Sequence, residues 1–198
     1  DPKSSVDSSV EKLYSNAKGK TALAPEGSIC RPTGQSSEGN DHRMIYSTHD
    51  VHPRERLSYW LEVATRGYVE HEFYTPVGQA FRGRLQIASL PGVGLSTFEA
   101  DPHRAVRPER QHEDSGDILV SMLSRGRVHV FQDGRESSIE NKGLYLIDPI
   151  RPFEVMVPEP SAHIVVKIPR PMLEARVGRT ADLSARSITQ SNRIGALA

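Results

Sequence analysis

Just before position 68 the apolar residues recur every three to four places; from there on they fall on alternate places. Leu57, Trp60, Leu61 and Ala64 stand at i, i+3, i+4 and i+7, which gathers them into one stripe of a helix. Arg54, Glu55, Glu62 and Arg66 fall on the other side. Pro53 suits the first turn, where its missing N–H is not needed, and Gly67 is placed to stop the helix. Beyond it the period of two predicts short strands, among them VEHEFYT, GRLQIASL, VGLSTFEA, RAVRP, DILVSML, RVHVFQ, SSIE, LYLID, FEVMV and HIVVKI. Gly, Pro, Asp and Asn separate them. Asp133-Gly134 predicts a tight hairpin, since a type I′ turn requires φ > 0 at both central residues. That rhythm predicts a sandwich or barrel rather than alternating βαβ units. PMLEARVG then reads as a short helix with Met172, Leu173 and Val177 apolar. Near the end, Ser191 or Asn192 can cap a further helix starting at Arg193–Leu197.

The flanks differ in kind. Residues 1–43 are rich in Ser, Gly, Lys and Pro, and Val6, Val10, Leu13 and Tyr14 supply only one weak amphipathic patch. Such a segment buries too little to offset its ordering entropy and is expected to be a flexible leader. The 198-residue chain balances 25 basic against 25 acidic side chains, leaving no electrostatic footprint for a phosphate backbone. DNA binding by this chain alone is therefore not expected. Cys30 is the single cysteine, so neither an intrachain disulfide nor a thiolate metal cluster can form. No apolar run approaches the ~20 residues that span a bilayer. The start, DPKSSVDSS, carries neither an initiator Met nor the apolar core of a signal peptide, which predicts a soluble, cytoplasmic fragment of a longer chain.

Several stretches together resemble one family. STHDVHPRERLSYWLEV, FRGRL, GRVHVFQDGRE, GLYLIDPIRPFEV, and IPRPMLEARVG followed by RIGALA look, in this order and spacing, like the ligand-binding and dimerisation domain of AraC/XylS-type transcription regulators. The resemblance covers about residues 44–198. It implies a mainly β fold: a cupin-like β-barrel (double-stranded β-helix) preceded by an α-helix and followed by short C-terminal helices. The expected organisation is a leader over 1–43, helix plus effector-binding barrel over 44–178, and linker with the start of a dimerisation helix over 179–198. It further implies a small-molecule effector, a homodimer, and DNA contact only through a C-terminal helix-turn-helix domain outside this chain.

The candidate chemistry is sparse. Enzymatic cupins hold a metal with His-x-His, because i and i+2 of a strand point the same way; this sequence has no such pair, and no cofactor or metal is expected. Neither a Gly-x-Ser-x-Gly elbow nor a phosphate loop is present, so no catalytic residue is assigned. His49 and His52 at the helix start read as capping or surface residues, and His103 and His112 with Arg104, Arg107 and Arg110 as a solvated face. His129 and His163 lie on strands, where each either enters the barrel or faces solvent. Arg151 and Phe153 stand at i, i+2; the family implies that their face looks inward, whereas Arg151 can instead pair with Asp148 to shape the turn. The expected ligand-binding residues are Arg151, Phe153, His129, His163 and Met122. Two rivals remain: a cupin enzyme (isomerase or oxygenase), and a ligand-free interaction module whose interior is filled.

Overall fold

The computed structural model describes residues 43–188, with 70, 77, 79, 110–115 and 141 excepted. The expected leader, Cys30, His112 and the RIGALA helix start lie outside the described residues. Eleven strands stand among those described: β1 (Arg43–Ser47), β2 (Glu72–Tyr74), β3 (Gly83–Leu90), β4 (Val93–Ala100), β5 (His103–Arg107), β6 (Asp117–Arg125), β7 (Arg127–Gln132), β8 (Arg135–Glu140), β9 (Leu144–Ile147), β10 (Phe153–Val157) and β11 (Ser161–Pro169). Two α-helices join them, α1 (Arg56–Gly67) and α2 (Arg170–Val177). A six-stranded sheet runs β1-β3-β4-β11-β6-β9 and a five-stranded one β2-β5-β10-β7-β8, with antiparallel pairing throughout. Their apolar faces meet in the core expected of a cupin-like barrel.

The period-two reading gives the inward set. On β7, Val128, Val130 and Gln132 are buried while their neighbours are not. On β11 the same holds for Ser161, His163 and Val165; on β10 Phe153, Val155 and Val157 face inward too, although Met156 between them is also buried. Asp133 and Gly134 have φ of 54° and 70°, as the predicted hairpin requires. The strand β1 was not expected: only Tyr46 of RMIYS is buried, so its five residues carry no clear alternation. It gains its place by pairing in full register along β3.

Helix α1 begins at Arg56, three residues after Pro53, and the Tyr68 N–H closes it on the Ala64 carbonyl. Its stripe buries Trp60, Leu61, Val63 and Ala64. The Trp60 ring packs 5.4 Å from Phe81 and 6.2 Å from Phe98, centroid to centroid. Gly83 makes room for it, because a Cβ there would stand 2.6 Å from the indole. The Gly83 N–H also donates to the buried Thr48 hydroxyl at 2.9 Å, which ties the turn before the helix to the same strand.

Two substitutions test this docking. Trp60→Ala is expected to cost about 3–5 kcal/mol of unfolding free energy and Gly83→Ala about 1–3 kcal/mol, read by denaturant titration. Parent-like midpoints in both would mean that the helix is not docked on the barrel.

Candidate functional site

The space between the sheets is not purely aliphatic. His163, 1% exposed, stacks on Phe98 at 4.4 Å with 10° between the planes. Its Nδ1 lies 3.2 Å from the Tyr145 hydroxyl and its Nε2 2.9 Å from the Ser161 hydroxyl. A neutral imidazole donates from one nitrogen and accepts at the other, and either tautomer satisfies both contacts. One strand over, the Ser96 hydroxyl donates to Tyr68 at 2.9 Å. His103, also buried, stacks on Phe73 at 4.8 Å and donates Nδ1–H to the Asp101 carbonyl at 2.8 Å. Phe98 lies among them, its centroid 6.4 Å from His103 and 6.0 Å from Tyr68.

Burial dominates the protonation of this belt. It pushes His163 down to about 3, helped by the neighbouring His103. It pushes His103 down to about 4 against the pull of the Asp101 carbonyl. The Tyr145 phenol is pushed up to about 12, partly offset by the Ser121 hydroxyl, and Tyr68 is raised further by the same cause. At neutral pH these imidazoles and phenols are therefore uncharged. Such groups offer ring faces, donors and acceptors to a bound molecule, but the two imidazoles are too weak as bases for proton transfer near pH 7.

Of the five residues read from the sequence, Phe153 and His163 face the interior. They do not adjoin: His163 is paired across to Phe98 and Leu123, whereas Phe153 sits between Gln132 and Arg107 on the other sheet. His129 alternates with buried Val128 and Val130 and so lies on the outer face of β7, half-buried. Met122 alternates with buried Ser121 and Leu123 and likewise faces outward. Arg151 departs from the expected inward face because β10 begins only at Phe153, and alternation does not reach into the turn before it. Its guanidinium turns outward to Asp133 at 2.9 Å and to Asp148 at 3.7 Å.

The sequence reading missed Tyr68, Ser96, Ser121, Tyr145 and Ser161, and it assigned His103 to a solvated face. Arg104, Arg107 and Arg110 gave that stretch its charged look in the sequence, yet His103 and Arg107 are buried while Arg104 reaches out to Glu154 at 2.7 Å. One available signal was the serine interrupting DILVSML, a polar residue at a buried position of an apolar strand. On the outer face, a concavity of about 180 Å³ over the β11 bulge is lined by Arg84, Gln86, Thr97, Glu99 and Ser124, among others. Among the described residues no three His, Cys, Asp or Glu side chains converge as a metal site.

Comparison with known proteins adds the following. Residues 60–198 match the model of the AraC-binding-like domain. The transcriptional activator NphR of Rhodococcus sp. is 37% identical over 155 residues, covering 76% of this chain and 46% of that protein. An uncharacterized protein of the nit 5′ region of Bacillus sp. (strain OxB-1) is 32% identical over 145 residues, covering 72% and 56%. The chain thus spans about half the length of these curated relatives. Among solved structures, the AraC-like transcriptional activator CuxR superposes with a TM-score of 0.67 at 15% identity, over 78% of this chain and 56% of that one.

The buried histidines make stability depend on pH. Their folded pKa values, about 3 and 4, lie below the ordinary 6.5, so the unfolded chain takes up protons that the folded chain refuses. Their contribution is complete above about pH 6.5 and is lost as pH falls toward 4. Each of His103→Gln and His163→Gln is expected to flatten the fall around pH 5 by about 1.4 kcal/mol per pH unit. Denaturant titrations between pH 4.5 and 7.5 measure this; unchanged slopes would mean that the imidazoles are not held neutral.

Proposed function

The chain belongs to the AraC-binding-like domain family, and from that membership we propose that it senses a small-molecule effector for a transcription regulator. The observation that carries the reading is the uncharged polar belt around His163. Aliphatic side chains would fill the interior at lower desolvation cost, so hydroxyls and imidazoles there are best explained by what they can bind. The effector would exchange bonds with Tyr145, Ser161 and Ser96 and take up ring faces of Phe98 and His163. Arg151, outside the interior, has no part in this binding; Phe153 would pack at the far end.

DNA contact would belong to another domain, since this chain is electrically balanced. The protein would act as a homodimer in the cytoplasm, a state that light scattering on the purified chain tests. No helix among the described residues is long and apolar enough to cross a membrane. In this reading the chain is a sensor rather than a cupin enzyme. A ligand-free interaction module is the second reading, and one observation favours it: the belt's hydrogen bonds already satisfy one another.

A thermal-shift screen of uncharged aromatic and polyhydroxy compounds separates the two. A true effector at a hundredfold excess over its Kd adds about 2.7 kcal/mol, several degrees of Tm for a domain of this size. His163→Ala should abolish the shift and Arg151→Ala should leave it. No shift from any compound, with a native fold intact, favours the interaction module.

A further inference from the structure

The chain leaves the barrel through a strap, residues 179–188, that is fastened on both sides. On one side it lies along β9, the edge strand of the six-stranded sheet. The Ala185 N–H donates to the Leu146 carbonyl at 2.9 Å, and Leu144 and Ile188 exchange N–H···O bonds of 2.9 and 2.8 Å. On the other side β8 and its turn hold it. The Arg135 guanidinium donates to the Ala181 carbonyl and, at 2.8 Å, to the Ser184 hydroxyl. Ser184 donates to Asp133 at 3.0 Å, and Ser137 donates to the Ala185 carbonyl at 2.7 Å. Thr180, Ser184 and Ala185 are buried by this docking. Ala185 is held in the left-handed region, at φ 51°, a conformation that non-glycine residues keep only when their surroundings impose it.

Two of the four residues of β9, Tyr145 and Ile147, also face the interior. Alternation turns Tyr145 toward the barrel, where its hydroxyl meets His163 at 3.2 Å and the Ser121 hydroxyl. The flanking Leu144 and Leu146 give their backbone groups to the strap. Within one short strand, then, one residue contacts the belt and both its neighbours hold the chain's exit. Among the described residues β9 pairs with β6 on one edge, and the strap is what holds its other edge.

We propose that β9 couples the interior belt to the exit strap: whatever alters the bonds of Tyr145 loosens or tightens the seating of residues 185–188. This rests on the sensing role argued above and gives its regulation a physical route. Occupancy that pulls Tyr145 away from His163 shifts β9 relative to β6, and the strap's three backbone bonds follow, because they have no other partner on the sheet. Coupling is reciprocal, so a strap held firmly also favours the closed belt.

Hydrogen exchange on the full 198-residue chain tests the coupling without any ligand. Tyr145→Phe removes only the hydroxyl. Amide exchange at Ala185 and Ile188 should accelerate at least about fivefold, while amides of β11 at Val165 and Val166 keep their parent rates. Ser96→Ala, which removes an interior hydroxyl without touching β9, should leave the strap at its parent rate. Ser121→Ala reaches the Tyr145 hydroxyl from β6 and provides a second route should Tyr145→Phe fold poorly. An unchanged strap in both Tyr145→Phe and Ser121→Ala overturns the proposal. Acceleration spread equally over β11 and the strap overturns it too, since that reports general destabilisation. The sensing role fails separately, through the compound screen, and the strap result does not depend on it.

Discussion

A polar group sealed between two sheets must find its partner there, because water cannot reach it. This constraint organises the molecule at two levels. Around His163 it produces hydrogen-bonded pairs of neutral groups, drawn from β4, β6, β9 and β11. At the other end of β9 it produces an ion pair. Asp148 is fully buried and receives both guanidinium nitrogens of Arg170, at 2.7 and 3.0 Å, while Gln132 brackets its backbone N–H and carbonyl. Losing one partner of such a pair typically costs about 3–5 kcal/mol, since the other stays buried and charged. Arg170 opens α2 and also donates to Thr180, so the pair joins the end of β9 to the start of the strap. Neutral bonds fix one end of the strand and charged ones the other.

Much of the fold was legible in the sequence, for reasons that mark where reading stops. Strands whose two faces differ, such as RVHVFQ, announce themselves by alternation, and Asp133-Gly134 announces its turn by the φ values it alone tolerates well. The stripe through Trp60 was readable because three turns repeat it. RMIYS was not, because an edge strand buried at one position shows no period; only its register with β3 defines it. The buried ion pair Asp148–Arg170 was invisible for another reason: residues far apart in sequence meet only through the topology. The nearer Asp148–Arg151 pairing was foreseeable, and it does shape the turn.

The candidate site was less legible than the fold. Alternation gives two faces but not which is inner once both carry polar residues. His129 and His163 read alike in sequence and came out on opposite sides. In LYLI every residue is apolar or aromatic, so nothing singles out Tyr145 until the sheet places it opposite Ser121. Extending the period past the end of a strand produced the misreading of Arg151. Periodicity is a property of hydrogen-bonded ladders, and a turn before a proline has none.

Why a barrel would keep such an interior follows from the energies. An internal hydrogen bond contributes only about 1 kcal/mol net, because its groups had water as the alternative; a ligand offering equivalent bonds is a second alternative at similar free energy. An aliphatic interior has no such exchange available and would close more firmly around nothing. In the proposed sensing role the belt around His163 would set two arrangements close together, one satisfied internally and one satisfied by a guest, and a small difference in affinity would be enough to choose between them. What would turn that choice into a signal is position. Tyr145 lies on the strand that has one covalent course, one paired edge and one edge held by the chain's exit. A hydroxyl placed deep in the middle of the sheet, like that of Ser96 on β4, is clamped by strands on both sides and has nowhere to send a displacement. The edge strand is the place where a change of hydrogen-bond partner inside can become a change of chain path outside.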